Sequence, residues 1–257
     1  MNPPSVVLLA GPDPVGSVTY NFLSRELEIE QVIREPAVPR LELARGRLRR
    51  FGLLTVLGQI LFRMLAVPFL RLAARSRIRE IMRDGGLEDA APPAQKITEV
   101  ESVNSGETIT LLRRLRPKVV VIAGTRILSR QVLDSVPARF VNLHAGITPL
   151  YRGVHGAYWA LAEGRREACG VTVHLVDAGI DTGDILAQAT IAPTARDNFA
   201  TYPWLQLAAG LQLLAAAVRN ACEGRAEVQP PPAGPSKLWT HPTLAGYLWR
   251  RLRDGVQ

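Results

Sequence analysis

Asn142 and His144 stand two residues apart at the end of a short apolar run, in V-N-L-H-A-G-I-T-P-L-Y-R-G-V-H-G over residues 141–156. An extended backbone alternates its side chains, so both point to one side. An Asn amide can donate to an oxygen that gains negative charge, and a neighbouring imidazole can give it a proton or take one from an attacking amine. The pair suits attack on a carbonyl. Alone it is a weak pattern, because a single His in such a place is more often held by structural hydrogen bonds.

A second run, G-V-T-V-H-L-V-D-A-G-I-D-T-G-D-I-L over residues 170–186, strengthens it. Residues 171–176 alternate as a strand, and the acidic loop 177–184 is spaced by glycines and too polar for a core. A carboxylate from this loop can orient His144 and raise its basicity. Calcium is the competing reading of such a loop, but the glycine and terminal glutamate of an EF-hand are missing. No metal-binding cluster is visible and none is expected. His155 and His174 read as structural or substrate-side histidines.

The elements that must position these groups form an α/β pattern. Residues 5–10 read as a first strand, Gly11 as a turn, 16–27 as a helix and 29–33 as a second strand. Gly11 and Gly16 do not make a dinucleotide fingerprint, although the helix start can still take an anion on backbone N–H groups. Strand-like alternation returns at 96–103, a helix follows at 105–115, and the apolar run 119–123 has the character of a buried parallel strand. Residues 124–128 then lie at a strand's C-terminal end, where open α/β sheets hold ligands. A helix at 202–218 covers the sheet. The pattern predicts an open, mostly parallel, Rossmann-like sheet flanked by helices. The domain expectation is a catalytic unit over 1–228, containing a helical insertion at 40–83, and a proline-rich linker with an aromatic and basic extension over 229–257.

Composition narrows the function classes. With 257 residues and 47% apolar content the chain can bury an ordinary core. Cys169 and Cys222 form neither a CxxC pair nor a Cys/His cluster, so reduced thiols in a cytoplasmic protein are expected. The N-terminal apolar run is short and lacks a positive flank, which reads as a strand and not a signal peptide. The net charge of +8 is localised. Residues 40–83 carry eleven arginines against Glu42 and Glu80, a balance of 11 − 2 = +9, and the other residues carry 20 basic and 21 acidic side chains, a balance of −1. A protein-wide nucleic-acid surface is therefore not indicated.

Within 40–83, residues 51–72 are intensely apolar, with Thr55, Gln59 and Arg63 four apart on one stripe. Arg63, Pro68 and Arg71 interrupt the charge-free run, which argues against a membrane span of about 20 residues. Two readings remain. A helix buried in the core or in a homodimer interface is favoured, since all-round apolar helices are usually buried. A helix lying in the membrane surface, at the inner face of a membrane and with arginines on anionic headgroups, is kept beside it.

The segment 118–186 resembles the catalytic core of the 10-formyltetrahydrofolate-dependent formyltransferases, the family of glycinamide ribonucleotide transformylase, methionyl-tRNA formyltransferase and the sugar N-formyltransferases. The matching residues are Asn142-Leu-His144, Pro149 with Tyr151-Arg152-Gly153, Gly170-Val-Thr, and Asp181-Thr-Gly-Asp-Ile-Leu. The resemblance implies a triad of Asn142, His144 and Asp181. Asn142 and protonated His144 would stabilise the oxyanion formed when an amine attacks the formyl carbon, and Asp181 would orient the histidine. It also implies that backbone groups of Arg126, Ile127 and Leu128, and of a loop with Asp177, Gly179 and Ile180, hold the folate. Gly11, Tyr151, Arg152 and Gly153 become the acceptor-side expectations. One departure stands out: the family writes Pro-Ser after the catalytic histidine, where this chain has Ala145-Gly146, a change expected to loosen the turn.

The implied activity is formyl transfer from 10-formyltetrahydrofolate to a primary amine of a small anionic acceptor, with a nucleotide- or lipid-linked amino sugar preferred. Glycinamide ribonucleotide is the runner-up. A tail shorter than a separate tRNA-binding domain argues against initiator tRNA. A folate-deformylating hydrolase and a catalytically silent membrane- or partner-binding protein are the remaining alternatives.

Overall fold

The structure is a computed structural model that describes residues 5–12 and 14–257, with side chains described except at 40–45. Arg40, Glu42 and Arg45, part of the expected basic segment, thus have side chains outside the described residues.

β1 (Val6–Ala10) leads into α1 (Pro14–Leu23) and β2 (Ile29–Arg34). Then come α2 (Arg40–Phe51), α3 (Leu53–Leu61), a π-turn at Phe62–Ala66, α4 (Val67–Ala73) and α5 (Arg75–Asp84). β3 (Ile97–Glu99), α6 (Gly106–Leu115), β4 (Val119–Ala123), α7 (Arg130–Leu133) and β5 (Arg139–His144) complete the parallel part. β6 (Arg152–Gly153), α8 (Gly156–Ala162), β7 (Gly170–Leu175), β8 (Ile185–Thr190), α9 (Tyr202–Cys222), β9 (Leu238–Trp239) and α10 (Leu244–Asp254) follow. The sheet order is β3-β2-β1-β4-β5-β7-β8. The first five strands are parallel, and β7 and β8 are antiparallel to their neighbours. This is the open, mostly parallel sheet that the sequence predicts.

β1 and β4 are buried along their whole length, so both faces are covered. Val6 and Leu8 face α1 and α9, while Val7 and Leu9 pack in the layer containing Leu111 and Leu112 of α6. α9 buries Leu207, Leu211, Leu214 and Val218, the i, i+4, i+7, i+11 stripe that fits a sheet. Ser105 starts α6 by accepting the Thr108 N–H, and Arg116 ends it in the left-handed region. The first helix stops at Leu23, four residues earlier than its pattern suggests, and only Ile97–Glu99 of the 96–103 run pairs as a strand.

The insertion differs most from expectation. Leu53–Ala73 is one continuous helical stretch of 21 residues with mean hydropathy 1.9, long and apolar enough by length and composition to cross a membrane. It runs through Arg63, where counting charge-free residues would have ended it. It is not buried in the core: Val56, Gln59, Phe62 and Leu70 face the body, while nine large apolar side chains face outward. The polar stripe turns inward at Gln59, whose Nε2 donates to the His241 carbonyl at 2.9 Å. Phe62 sits fully buried between Phe199 and Tyr247, with ring centroids 4.9 and 5.0 Å away. Burying such a ring contributes roughly 1.5–3 kcal/mol. Arg77 ties α5 to the body by an ion pair with buried Asp197 at 2.9 Å.

The C-terminal residues belong to the same packing. β9 pairs in parallel with β6, Trp239 stacks on Trp159 at 4.4 Å, and Tyr247 joins the Phe62 cluster. Cys169 and Cys222 are buried and unpaired, and burial pushes the Cys169 thiol up to about 12.

Candidate active site

A cavity of about 860 Å³ opens at the C-terminal ends of β4 and β5, within the range of small-molecule sites. Asn142, His144 and Asp181 all line it. His144 is the last residue of β5 and is almost fully buried, with 6% of its surface exposed. Its Nε2 lies 2.7 Å from the Tyr151 carbonyl, and its Nδ1 lies 3.4 Å from Asp181 Oδ2. A carbonyl can only accept, so Nε2 carries the hydrogen. Nδ1 is left as the nitrogen that exchanges a proton beside a carboxylate. Burial presses the His144 pKa below its ordinary value, partly opposed by Asp181 and by the Tyr151 carbonyl. The resting ring is therefore neutral at pH 7, ready to gain a proton.

Antiparallel pairing of β5 with β7 places His174 directly across from Asn142. His174 Nδ1 is 2.7 Å from the Leu175 carbonyl, which assigns the hydrogen to Nδ1 and leaves Nε2 as an acceptor. Asn142 Nδ2, 3.1 Å away, donates to it. That bond fixes the amide orientation and leaves the second amide hydrogen for a ligand. Asp181 closes the group with a φ of 51°, a left-handed conformation that Asp tolerates better than most residues. Its Oδ2 accepts the Gly153 N–H at 2.8 Å. Burial alone would raise its pKa, but the net direction is downward, and the Gly153 N–H is the donor that favours the charged form while both rings are neutral. A charged carboxylate is thus maintained beside His144.

The Ala145-Gly146 turn is tight, not loose. The Gly146 N–H donates to the His144 carbonyl at 2.9 Å, and Thr172 Oγ1 donates to the Gly146 carbonyl at 2.7 Å. A Cβ at Gly146 would lie 2.3 Å from the Tyr151 carbonyl oxygen and 2.7 Å from His144 Nε2. Glycine here lets the histidine and its carbonyl partner meet. Gly146→Ser is accordingly expected to displace the His144 ring and reduce kcat by roughly 10- to 100-fold with the fold retained. Steady-state turnover together with circular dichroism checks it.

The loop groups expected to hold a folate are divided by their existing bonds. Buried Glu35 accepts the Arg126 N–H at 2.7 Å, and its Oε2 lies 2.6 Å from the Arg126 guanidinium. The Arg126 carbonyl takes the Thr125 hydroxyl. The Arg126 N–H is therefore taken by Glu35, while its carbonyl keeps a second lone pair. The Ile127 carbonyl is used by Asn104, but the Ile127 N–H and both backbone groups of Leu128 have no protein partner among the described residues. All three residues line the cavity. Across it, Asp177 folds its own loop by accepting from Gly179 N and Thr182 Oγ1, and Arg152 donates to the Ile180 carbonyl at 3.0 Å. Asp177, Gly179 and Ile180 therefore line the same cavity as 127–128, on a loop already held by its own bonds.

Residues 81–208, which contain the whole Asn142, His144 and Asp181 group, match the protein-family model described as formyl transferase. That segment belongs to the formyl transferase family. Methionyl-tRNA formyltransferase of Anaeromyxobacter dehalogenans is 37% identical over 124 residues, 48% of this chain and 39% of that protein. The chain spans less than half the length of such curated relatives. Glycinamide ribonucleotide transformylase 1 from Symbiobacterium toebii superposes with a TM-score of 0.56 over 89% of this chain and 92% of that one, at 19% identity. A sugar N-formyltransferase from Shewanella sp FDAARGOS_354 gives 0.54 over 91% and 76%, at 14% identity. At such identities these structures speak to the fold, which is that of formyl transferases.

Nearly all of the insertion and the whole C-terminal extension lie outside the family-matched segment, yet both line the cavity. Arg47 and Arg50 of α2, Gln59 of α3 and His241 of the extension stand there. Burial and the neighbouring Arg63 both lower the Arg47 pKa, and burial with Arg47 and Arg63 presses His241 down to about 4. This wall is cationic and short of negative partners. Gln59 Oε1 is buried there without a hydrogen-bond partner. The acceptor-side expectations fare unevenly. Gly153 lines the cavity. Tyr151 is buried, its carbonyl on His144 and its hydroxyl donating to Glu163, and Arg152 braces the 177–181 loop. Gly11 lines a separate cavity of about 120 Å³ and packs against the Gly124 backbone. Tyr151, Arg152 and Gly11 therefore do not face the triad's cavity. His155 is held by His241 at 2.8 Å and by Phe199. Among the described residues no group of three or more His, Cys, Asp or Glu side chains is placed to hold a metal ion.

Proposed function

We propose that the chain transfers the formyl group of 10-formyltetrahydrofolate to a primary amine on a small anionic acceptor, an amino sugar carried on a nucleotide or a lipid being the preferred class. The observation that carries this is one cavity holding a free Asn amide hydrogen, a neutral histidine backed by a carboxylate, and a wall of unneutralised cations. The folate supplies an electrophilic formyl carbon and a nitrogen leaving group. Asn142 donates its remaining amide hydrogen to the formyl oxygen as negative charge develops. His144 Nδ1 takes the proton released when the amine nitrogen bonds to the formyl carbon, and Asp181 stabilises the resulting imidazolium. The same proton is returned to the departing folate nitrogen as its bond to that carbon breaks.

Arg47 and Arg50 are assigned to the acceptor's phosphate. Losing one charge-assisted contact costs roughly 1.5–3 kcal/mol, so Arg47→Ala or Arg50→Ala should raise the acceptor KM by about 10- to 100-fold, the effect falling on KM. Release of tetrahydrofolate against a panel of amines tests the whole reading. The panel contains a nucleotide-linked amino sugar, a lipid diphosphate amino sugar, glycinamide ribonucleotide and methionyl-tRNA. Turnover without any amine would establish a hydrolase instead. A second reading, methionyl-tRNA as acceptor, rests on the names of the relatives with which this chain shares sequence over the matched region. Turnover with methionyl-tRNA and not with the amino sugars would select it.

A further inference from the structure

We propose that the outer face of the insertion docks on an anionic bilayer surface, holding the mouth of the cavity at the headgroup layer. The residues that face away from the body recur at Leu53, Leu57, Ile60 and Met64, and again at Leu54, Leu61 and Leu65, the three-, four- and seven-residue steps of one helical side. Leu54 is 84% exposed, Leu53 70%, Phe69 69% and Met64 68%. The strip runs the length of a 21-residue helix, about 30 Å, and an exposed apolar face of this kind marks an interaction surface. The opposite side cannot exchange with it. Phe62 and Leu70 are buried, and Gln59 is bonded to the His241 carbonyl. The helix therefore lies along the body with its leucines outward.

The surrounding charge selects the occupant. Among the described residues Arg49, Arg50, Arg63, Arg71, Arg75 and Arg79 make no ion pair. Between residues 46 and 83 the one acidic side chain is Glu80, and Arg77 and Arg196 both hold it. A second copy of the chain would meet this face with the same face under two-fold symmetry, setting arginines against arginines. Anionic headgroups neutralise them while acyl chains receive the leucines, and long arginine side chains can reach upward to the headgroups from an immersed helix. α10, packed beside α3, exposes Leu248, Trp249 and Leu252 as well. Arg47, Arg50 and Gln59 place α2 and α3 in the cavity wall, so docking brings that wall to the lipid surface.

Flotation of the purified full chain with vesicles of phosphatidylcholine, alone or mixed with phosphatidylglycerol, tests the docking independently of formyl transfer. Binding at least about tenfold stronger to the phosphatidylglycerol vesicles, and weakened by 0.5 M salt, is expected. The triple variant Leu54→Glu, Leu57→Glu, Met64→Glu changes only exposed side chains. It should lose vesicle binding while keeping the parent's circular dichroism and its affinity for a folate analogue. Failure to bind either vesicle, or equal binding to both, overturns the proposal. So does a soluble dimer that the triple variant dissociates, since a second copy would then cover the face. Vesicle binding with no folate-analogue binding by the parent would leave docking standing and remove formyl transfer.

Discussion

Replacing Asn142 or His144 by Ala is expected to lower kcat by about 10²- to 10⁴-fold with little change in folate-analogue affinity, as measured by single-turnover release of tetrahydrofolate. The two losses have different origins. Asn142→Ala removes the one amide hydrogen that His174 leaves unused, so the developing oxyanion loses a donor already in place. His144→Ala removes the proton acceptor but keeps that donor. Since each step uses both groups at once, the double variant should be only slightly worse than the poorer single one. Full additivity of the two effects would show that the residues do not act on one transition state. His174→Ala offers a milder control: the Asn142 amide stays present but is free to rotate.

The second large effect belongs to Asp181→Asn, expected to cost about 10²- to 10⁴-fold in kcat. Asn tolerates the left-handed backbone at φ 51°, and its carbonyl can still accept the Gly153 N–H, so the loop survives the exchange. What changes is the partner facing His144 Nδ1, at 3.4 Å in the parent. A carboxylate favours a proton on that nitrogen, whereas an amide N–H donates to its lone pair and locks the ring neutral. The pH profile separates this from misfolding. Activity requires neutral His144, so kcat/KM should fall as pH drops through the histidine's pKa, which burial already holds below 6.5. Removing Asp181, which raises that pKa, should move the acid limb to still lower pH. Asp181 itself stays ionised across this range, because its own pKa is depressed. The same burial adds a stability contribution from His144 that is fully present above pH 6.5 and is lost as pH falls through its folded pKa.

The sheet was readable because strands buried on both faces write continuous apolar runs, as at Val119–Ala123, and helices write their stripe, as in α9. Asn142 and His144 stood out because their two-residue spacing is local, and the resemblance to the formyltransferases picked Asp181 from the acidic loop. The parts that escaped depend on contacts between distant residues. His174 gains its role from strand pairing across 32 positions, and its sole local signal was a polar residue in a buried strand. Glu35 occupies the Arg126 N–H from 91 positions away. The insertion departs from burial in the core because Gln59 finds its partner in the extension 182 positions later, which turns the polar side toward the body and leaves the leucines outside. Gly146 looked permissive in the sequence, and only the position of the Tyr151 carbonyl reveals a steric requirement.

The joint between the insertion and the C-terminal extension bears on how such a protein could be re-engineered. Thr243 packs against Gly58, the His241 carbonyl accepts from Gln59, and Tyr247 meets Phe62. Neither segment would keep its shape if grafted alone onto a related scaffold, since each supplies the other's polar and aromatic complement. A chimaera meant to carry over acceptor choice has to transplant both pieces together, and the catalytic sheet between them can remain the recipient's own.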